Sequence, residues 1–559
     1  MEDRVTTIFC FLMPLLCLMV AADQYAPEVH TTLGALRGLT LTVKGIKSGV
    51  HAYLGVPFAK PPVGPSLRLR APQPVEGWTG VRDATKQPLM CIQGESVVSD
   101  YIVKINRIVA DLPEISEDCL YLNIFTPANR AQDAKLPVMV WIYGGGLTTG
   151  SASLYDGSAL AAYEDVVVVL IQFRVGLLGF LSTGDENMSG NFGMLDQIQA
   201  LKWIKEHIHN FGGNPDVVTV IGQSAGAVCV SLLLHSPLSH GLFHRAIAES
   251  GTAAMDLLLT RNPLPLTRIV ANASGCNMES TEKIADCMRN LDLESIIPFA
   301  KDEIRFLINV DGHVLTKPVM ESFKNNEFLT IPYMTGVNNH EGGWIIIDFF
   351  APKNWTQGID QEKAFNLLSI FFPNPKDASK LKVLFEEYLG TAVDPVKNRD
   401  GLTQLFGDML FYAPAITDAN AHRDAGAEVF LYEYNHAPKV WKENRPDYVK
   451  CDHGDEVLTV LGYCFATYNV KISGGCSQEE EDLSKIMMSY WANFARTGSP
   501  NGAGLAHWPK YGADGNYLKI DLKEQVAARD LKKDRFIYMT ETLPETIKQH
   551  QLKFPHVDL

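Results

Sequence analysis

Five short runs of β-branched and aromatic residues recur along the chain: Val138 to Tyr143, Val166 to Phe173, Val217 to Ile221, Pro332 to Gly336 and Val429 to Tyr434. Helical periodicity intervenes between them, and alternation of this kind predicts an α/β fold, with parallel strands buried between layers of helix. Between the second and third runs, Leu195, Ile198, Leu201, Ile204 and Ile208 form one apolar stripe that ends at Gly212-Gly213. That spacing is an amphipathic helix lying on a sheet. No repeat, low-complexity tract or Pro/Ser-rich linker divides the 559 residues. The expectation is one domain over 23–559, with helical insertions at about 252–330 and 340–425.

The third run leads directly into Gly222-Gln223-Ser224-Ala225-Gly226, followed by a helix-like run from Ala225 to Leu234. A serine between two glycines at a strand-to-helix turn is a nucleophile elbow: the tight backbone lifts the hydroxyl into solvent, and a side chain on either flank would obstruct the close approach. Acyl transfer also needs donors for a developing oxyanion. Gly144-Gly145-Gly146, after the first run, offers backbone N–H groups that a substrate carbonyl can reach, with Gly145 and Gly146 the expected donors. Ala225 N–H, beside the serine and at a helix N-terminus, is the natural third. A base must then come from among 15 histidines. His453 and His436 both follow the strand expected to end at Tyr434. His340 is a poor candidate, because it neighbours Glu341 in sequence and adjacent side chains point apart.

Both ends of the chain carry addresses. An apolar run from Ile8 to Val20 precedes Ala21 and Ala22, so residues 1–22 read as a secretory signal peptide, and no later segment is long enough to span a membrane. The last four residues, His556 to Leu559, resemble an endoplasmic-reticulum retrieval tail with Asp558 in place of the usual glutamate. The expected location is the endoplasmic-reticulum lumen or, with imperfect retrieval by its receptor, outside the cell. Eight cysteines remain after residue 22, none in a CxxC pair, which fits disulfide bonding and not a metal site. Asn272 and Asn354 open sequons for glycosylation; Asn187 opens a third, within loop sequence that looks functional. A formal net charge of −15 argues against a nucleic-acid partner or an anionic membrane surface.

The glycine loop and elbow, with Glu117 to Asn123 and Phe211 to Pro215, resemble the type-B carboxylesterase and cholinesterase family of α/β-hydrolases. Tyr53 to Ala59 and Trp491 to Gly498 extend the resemblance over almost the whole mature chain. The resemblance implies an α/β-hydrolase fold and a serine esterase closest in kind to vertebrate liver-type carboxylesterases. Gly336-Val337-Asn338-Asn339-His340-Glu341 matches the family's acid loop, and Asp452-His453-Gly454-Asp455-Glu456 its histidine segment. Ser224, Glu341 and His453 are thereby assigned as nucleophile, acid and base, in the chain order this fold uses. It further implies disulfides Cys91 to Cys119 and Cys276 to Cys287, leaving Cys229, Cys451, Cys464 and Cys476 free or in an unforeseen pair.

The implied chemistry is hydrolysis of a small-molecule carboxylic ester through an acyl-enzyme, which calls for no metal or organic cofactor. Two departures bear on the substrate: Gln223 replaces a glutamate frequent beside the serine, and Tyr143 replaces a histidine frequent before the glycines. The stretch between Cys91 and Cys119 has no tryptophan and a single aromatic, Tyr101, which disfavours cation–π capture of a quaternary ammonium group. Neutral esters are therefore expected, with cholinesterase-like or juvenile-hormone-esterase-like specificity as alternatives. A different class of function, a catalytically silent adhesion or binding protein of the same family, is opposed by the intact Ser224, Glu341 and His453.

Overall fold

The computed structural model describes residues 26–94 and 112–553, apart from 132, 277, 302–303, 373–374 and 392. Eleven strands form one sheet: β1 (Leu39–Val43), β2 (Ile46–Pro57), β3 (Tyr121–Pro127), β4 (Leu136–Ile142), β5 (Val167–Ile171), β6 (Gly213–Gln223), β7 (Arg245–Glu249), β8 (Tyr333–Asn338), β9 (Val429–Tyr434), β10 (Asn516–Ile520) and β11 (Gln525–Arg529). Their spatial order is β1-β2-β3-β5-β4-β6-β7-β8-β9-β10-β11. The strands from β5 through β10 pair in parallel, while β1, β2, β3 and β11 are antiparallel to their neighbours.

All five predicted runs lie on this parallel centre. Its residues show why: every side chain of β5 is buried, as expected for a strand covered on both faces. The stripe predicted over 195–208 belongs to helix α1 (Phe192–His207). The elbow opens α2 (Ala225–His235), whose eleven residues are all buried, and α2 packs on β6 and β7. Further along run α3 (Pro395–Gly407), α4 (Ala413–Asp424) and α5 (Gln478–Thr497). The last begins with a reciprocal cap: Ser477 Oγ accepts from Glu480 N–H, and Glu480 accepts from Ser477 N–H at 2.9 Å. Gly498, left-handed at φ 83°, ends it.

The two expected insertions are mainly helical, although 252–330 also holds a small parallel pair, Leu259–Thr260 with Ile308–Asn309. Among the described residues no helix is long and apolar enough to cross a membrane. The signal segment and the retrieval-like tail lie outside the described residues, as does Tyr101.

Candidate active site

The site lies where the carboxyl ends of β6, β7, β8 and β9 face the loops that follow them, the usual place for chemistry in an open parallel sheet. Ser224 sits between β6 and α2 with φ 58° and ψ −128°, a conformation that costs of order 1–3 kcal/mol for a non-glycine residue. Neighbouring strands hold it there. Ser224 N–H donates to Glu249 O at 2.9 Å, and Ser250 N–H donates to Gly336 O at 2.9 Å, stitching the ends of β6, β7 and β8 together. A Cβ on Gly226 would collide with the carbonyl oxygens of Ile142 and Tyr143, so the elbow presses directly on the end of β4.

The glycine loop meets the elbow. A Cβ on Gly144 would come within 2.8 Å of Ser224 Cβ and 2.7 Å of Gln223 O. Gly145 and Gly146 follow at φ 107° and 64°, both exposed, in backbone that side chains would strain. The loop is closed on itself by Thr148 and Thr149 N–H, which both donate to Gly145 O at 3.1 Å.

Glu341 and His453 are far apart in sequence and adjacent in space. His453 Nδ1 lies 2.6 Å from Glu341 Oε2, with both side chains buried. The acid is fixed by Asn338, whose N–H donates to Glu341 Oε1 at 2.7 Å. The Asn338 amide also donates to Asp452 O at 2.8 Å and to Glu456, tying the acid loop to the histidine loop. That second loop has its own clamp: Arg445 donates to both oxygens of Asp455, which also accepts from Asp452 N–H at 2.7 Å and from Trp441 Nε1 at 2.9 Å. Asp452 turns away from the imidazole and accepts from the N–H groups of Trp344 and Ile345.

Burial alone would lower the basicity of His453, but the Glu341 carboxylate, its hydrogen bond, and the nearby Glu456 and Asp452 outweigh this and raise the pKa above the ordinary 6.5. Behind the pair, burial and the charge of Glu341 push Glu456 up to about 8. Burial and Glu456 likewise raise Glu249 well above the usual carboxylate range.

His453 Nε2 lies 3.3 Å from the Gln223 side-chain nitrogen. With the Nδ1 proton directed at Glu341, the Gln223 amide donates to the bare Nε2. Gln223 was legible only as a departure beside the serine; its contact with the imidazole was not, and neither were the linking roles of Asn338 and Glu456. The rival histidines are occupied elsewhere. His436 sits 3.2 Å from Glu480 of the α5 cap. His340 Nδ1 accepts from Lys450 N–H at 3.1 Å, and burial lowers its pKa to about 4.

Cys91 is bonded to Cys119 and Cys276 to Cys287, the two implied pairs. The unforeseen pair is Cys464 with Cys476, which leaves Cys229 and Cys451 free and buried among the described residues. Asn272 and Asn354 are exposed, whereas the Asn187 amide donates to Thr281 Oγ1 at 3.1 Å.

A model of the carboxylesterase family matches residues 25–539. Over 98% of its length the chain is 41% identical to carboxylesterase 1D of Rattus norvegicus, of which it covers 100%. It is 42% identical to the medium-chain fatty acyl-CoA hydrolase precursor of Anas platyrhynchos, with 97% of each chain covered. It is 40% identical to the cocaine esterase of Homo sapiens, covering 98% of this chain and 97% of that one. A match of this extent, on an α/β-hydrolase sheet with a serine at its elbow, places the chain in the carboxylesterase family as a serine carboxylesterase.

Proposed function

We propose that the chain hydrolyses neutral carboxylic esters with Ser224 as nucleophile, His453 as general base and Glu341 as the group that orients it. The observation that carries this reading is the buried 2.6 Å contact between His453 Nδ1 and Glu341 Oε2, with Nε2 directed to the elbow side beside Gln223. In the forward step Nε2 exchanges its Gln223 contact for the Ser224 hydroxyl and takes the proton as Oγ attacks the ester carbonyl. Glu341 holds the Nδ1–H tautomer and stabilises the imidazolium. The oxyanion is received by the N–H groups of Gly145, Gly146 and Ala225, the last at the start of α2. His453 then protonates the departing alcohol, and water repeats the attack on the acyl-enzyme.

The preference for neutral esters rests on the sequence between Cys91 and Cys119, which offers no tryptophan to hold a quaternary ammonium group by cation–π attraction. The three disulfides and the exposed sequons at Asn272 and Asn354 support a life in the secretory route, within the endoplasmic reticulum or outside the cell. Domain organisation is read in the same way, as one catalytic unit over 23–559.

The test is a rate panel in which acyl and alcohol size vary separately, with a choline ester included, alongside peptide mapping after reaction with an organophosphonate. Phosphonylation of Ser224 and faster turnover of uncharged esters are expected. Labelling at another residue would sink the triad, and a preference for the choline ester would sink the specificity.

A further inference from the structure

The chain turns from β11 into its C-terminal helical segment through two left-handed residues that are not glycine, Asp530 at φ 58° and Lys532 at φ 43°, on either side of buried Leu531. Lysine in this conformation is unfavourable, so something must hold it. Lys532 Nζ lies 3.1 Å from Asp408 Oδ1 and 3.6 Å from the centroid of the Tyr412 ring. Asp408 is itself buried and also accepts from Tyr388 OH at 3.1 Å, with Arg535 Nε at 3.8 Å from the same oxygen. A strained turn thus delivers one ammonium between a buried carboxylate and an aromatic face.

Asp408 and Tyr412 are the two ends of one feature. Asp408–Tyr412 is a π-helical turn that joins α3 to α4, and such wide turns cluster at functional positions. Its two buried aromatic rings reach the proposed triad. Phe411 packs against the imidazole of His453, with centroids 4.6 Å apart. Tyr412 OH donates to Asn338 O at 2.9 Å and contacts Glu433 Oε1 at 3.0 Å, while Asn338 is the residue that fixes Glu341.

We propose that Lys532 is a positioning residue for ester hydrolysis, pinning the 408–412 turn so that Phe411 and Tyr412 hold His453 and Asn338 in register with Glu341. This rests on the triad reading above. The lysine touches neither substrate nor reacting atoms and acts only through the turn. The groups that set the basicity of His453 directly are Glu341, Glu456, Asp452 and the Gln223 amide.

The experiment compares Lys532→Met, Lys532→Gln and Lys532→Arg in the full chain, with the active fraction of each fixed by phosphonate titration so that partial misfolding does not count. For Lys532→Met we expect kcat to fall about tenfold with KM little changed, since a small misplacement of a base costs rate and not binding. The acid limb of kcat/KM moves to lower pH, because an imidazole loosened from Glu341 loses the interaction that raises its pKa. Lys532→Gln shows the same trend more weakly, and Lys532→Arg restores the parent values. Combined with Phe411→Leu, Lys532→Met adds little further loss if the turn is the route.

A parent-like kcat and pH profile in both the Met and Gln variants would overturn the proposal. So would an acid limb displaced to higher pH, which is what simple removal of a positive charge would do. His453→Gln separates the two readings. Turnover surviving in that variant refutes the triad itself, whereas loss there beside an unchanged Lys532→Met refutes only the role of Lys532.

Discussion

The two ends of α2 carry the same kinds of side chain in opposite electrostatic states. At its start, Ser224 follows Gln223, whose amide meets Nε2 of His453; Nδ1 of that imidazole meets Glu341, and its basicity is raised. At its end, Ser231 and His235 share a buried cluster with Asp418 and His422. There the serine donates to the aspartate at 3.1 Å, and among the described residues no carboxylate is hydrogen-bonded to either imidazole. His235 Nδ1 is paired with Ser322 Oγ at 2.8 Å, and His422 lies among Tyr333, Phe328 and Phe323. Burial lowers His235 to about 4 and His422 to about 3, and raises Asp418 to about 7. A serine, a histidine and an acid are therefore not yet a triad: the acid must meet Nδ1 so that the charged imidazole is stabilised.

The sharpest way to break this comparison is to remove each serine. Ser224→Ala is expected to lower kcat by roughly 10⁴-fold or more, the loss being of the nucleophile itself. Ser231→Ala should keep parent turnover and lose only about 1 kcal/mol of stability with its hydrogen bond. Ester kinetics and denaturant unfolding of the two proteins decide the matter, and comparable kcat losses would erase the distinction.

Next in size is the acid. Glu341→Gln should reduce kcat by roughly 10³–10⁴-fold, because a neutral amide neither fixes the tautomer nor stabilises the imidazolium. Asp418→Asn, at the other end of the helix, should leave kcat at the parent value. A Glu341→Gln enzyme of near-parent activity would show that His453 is oriented by something else.

The third contrast is in pH dependence. His235 and His422 titrate below the ordinary value of 6.5, so the stability they contribute is whole above that pH and is lost as pH falls towards their depressed values. Each should cost about 2 kcal/mol between pH 7 and pH ~5. His422→Leu, which cannot be protonated, should show a smaller loss over that interval in urea unfolding at the two pH values; an undiminished loss would contradict the assignment. His453 behaves in the opposite sense, its contribution being present at low pH and lost as pH rises through its raised pKa. On the proposed triad, activity needs neutral His453 and is expected to fall on the acid side.

The smallest expected effect sharpens the site end of the helix. Gln223→Glu would place a carboxylate 3.3 Å from Nε2, where the amide nitrogen now lies, and should move the acid limb of kcat/KM up by about one pH unit. A stationary limb would mean that residue 223 does not face the imidazole in solution.

What could be read from sequence was the parallel centre and the elbow. Strands β4, β5, β6, β8 and β9 each carry an apolar run, the composition that burial on both faces favours. Among the strands that were not anticipated, β7 is Arg-Ala-Ile-Ala-Glu, with charged ends, and β11 is Gln-Val-Ala-Ala-Arg at the sheet edge. At the site, strand-turn-helix context pointed to Ser224, whereas Glu341 and His453 were assigned through the resemblance of their loops to those of the family. The contacts of Gln223, Asn338 and Phe411 depend on side-chain directions across segments distant in sequence, and local pattern does not encode those. The bond between Cys464 and Cys476 was missed for a similar reason, since a spacing of 12 residues permits a pair without requiring one.

The distance in sequence between the partners of the site has a consequence for how the protein matures. His453 meets Glu341 across 112 residues and Gln223 across 230, and β10 and β11 follow at the far end of the sheet. Contacts of such span close late, after the loop entropy of the intervening chain has been met. During synthesis Ser224 emerges long before His453, so on the proposed triad the growing chain carries a serine without its base. If the triad is as proposed, recovery of turnover during refolding should trail the recovery of secondary structure.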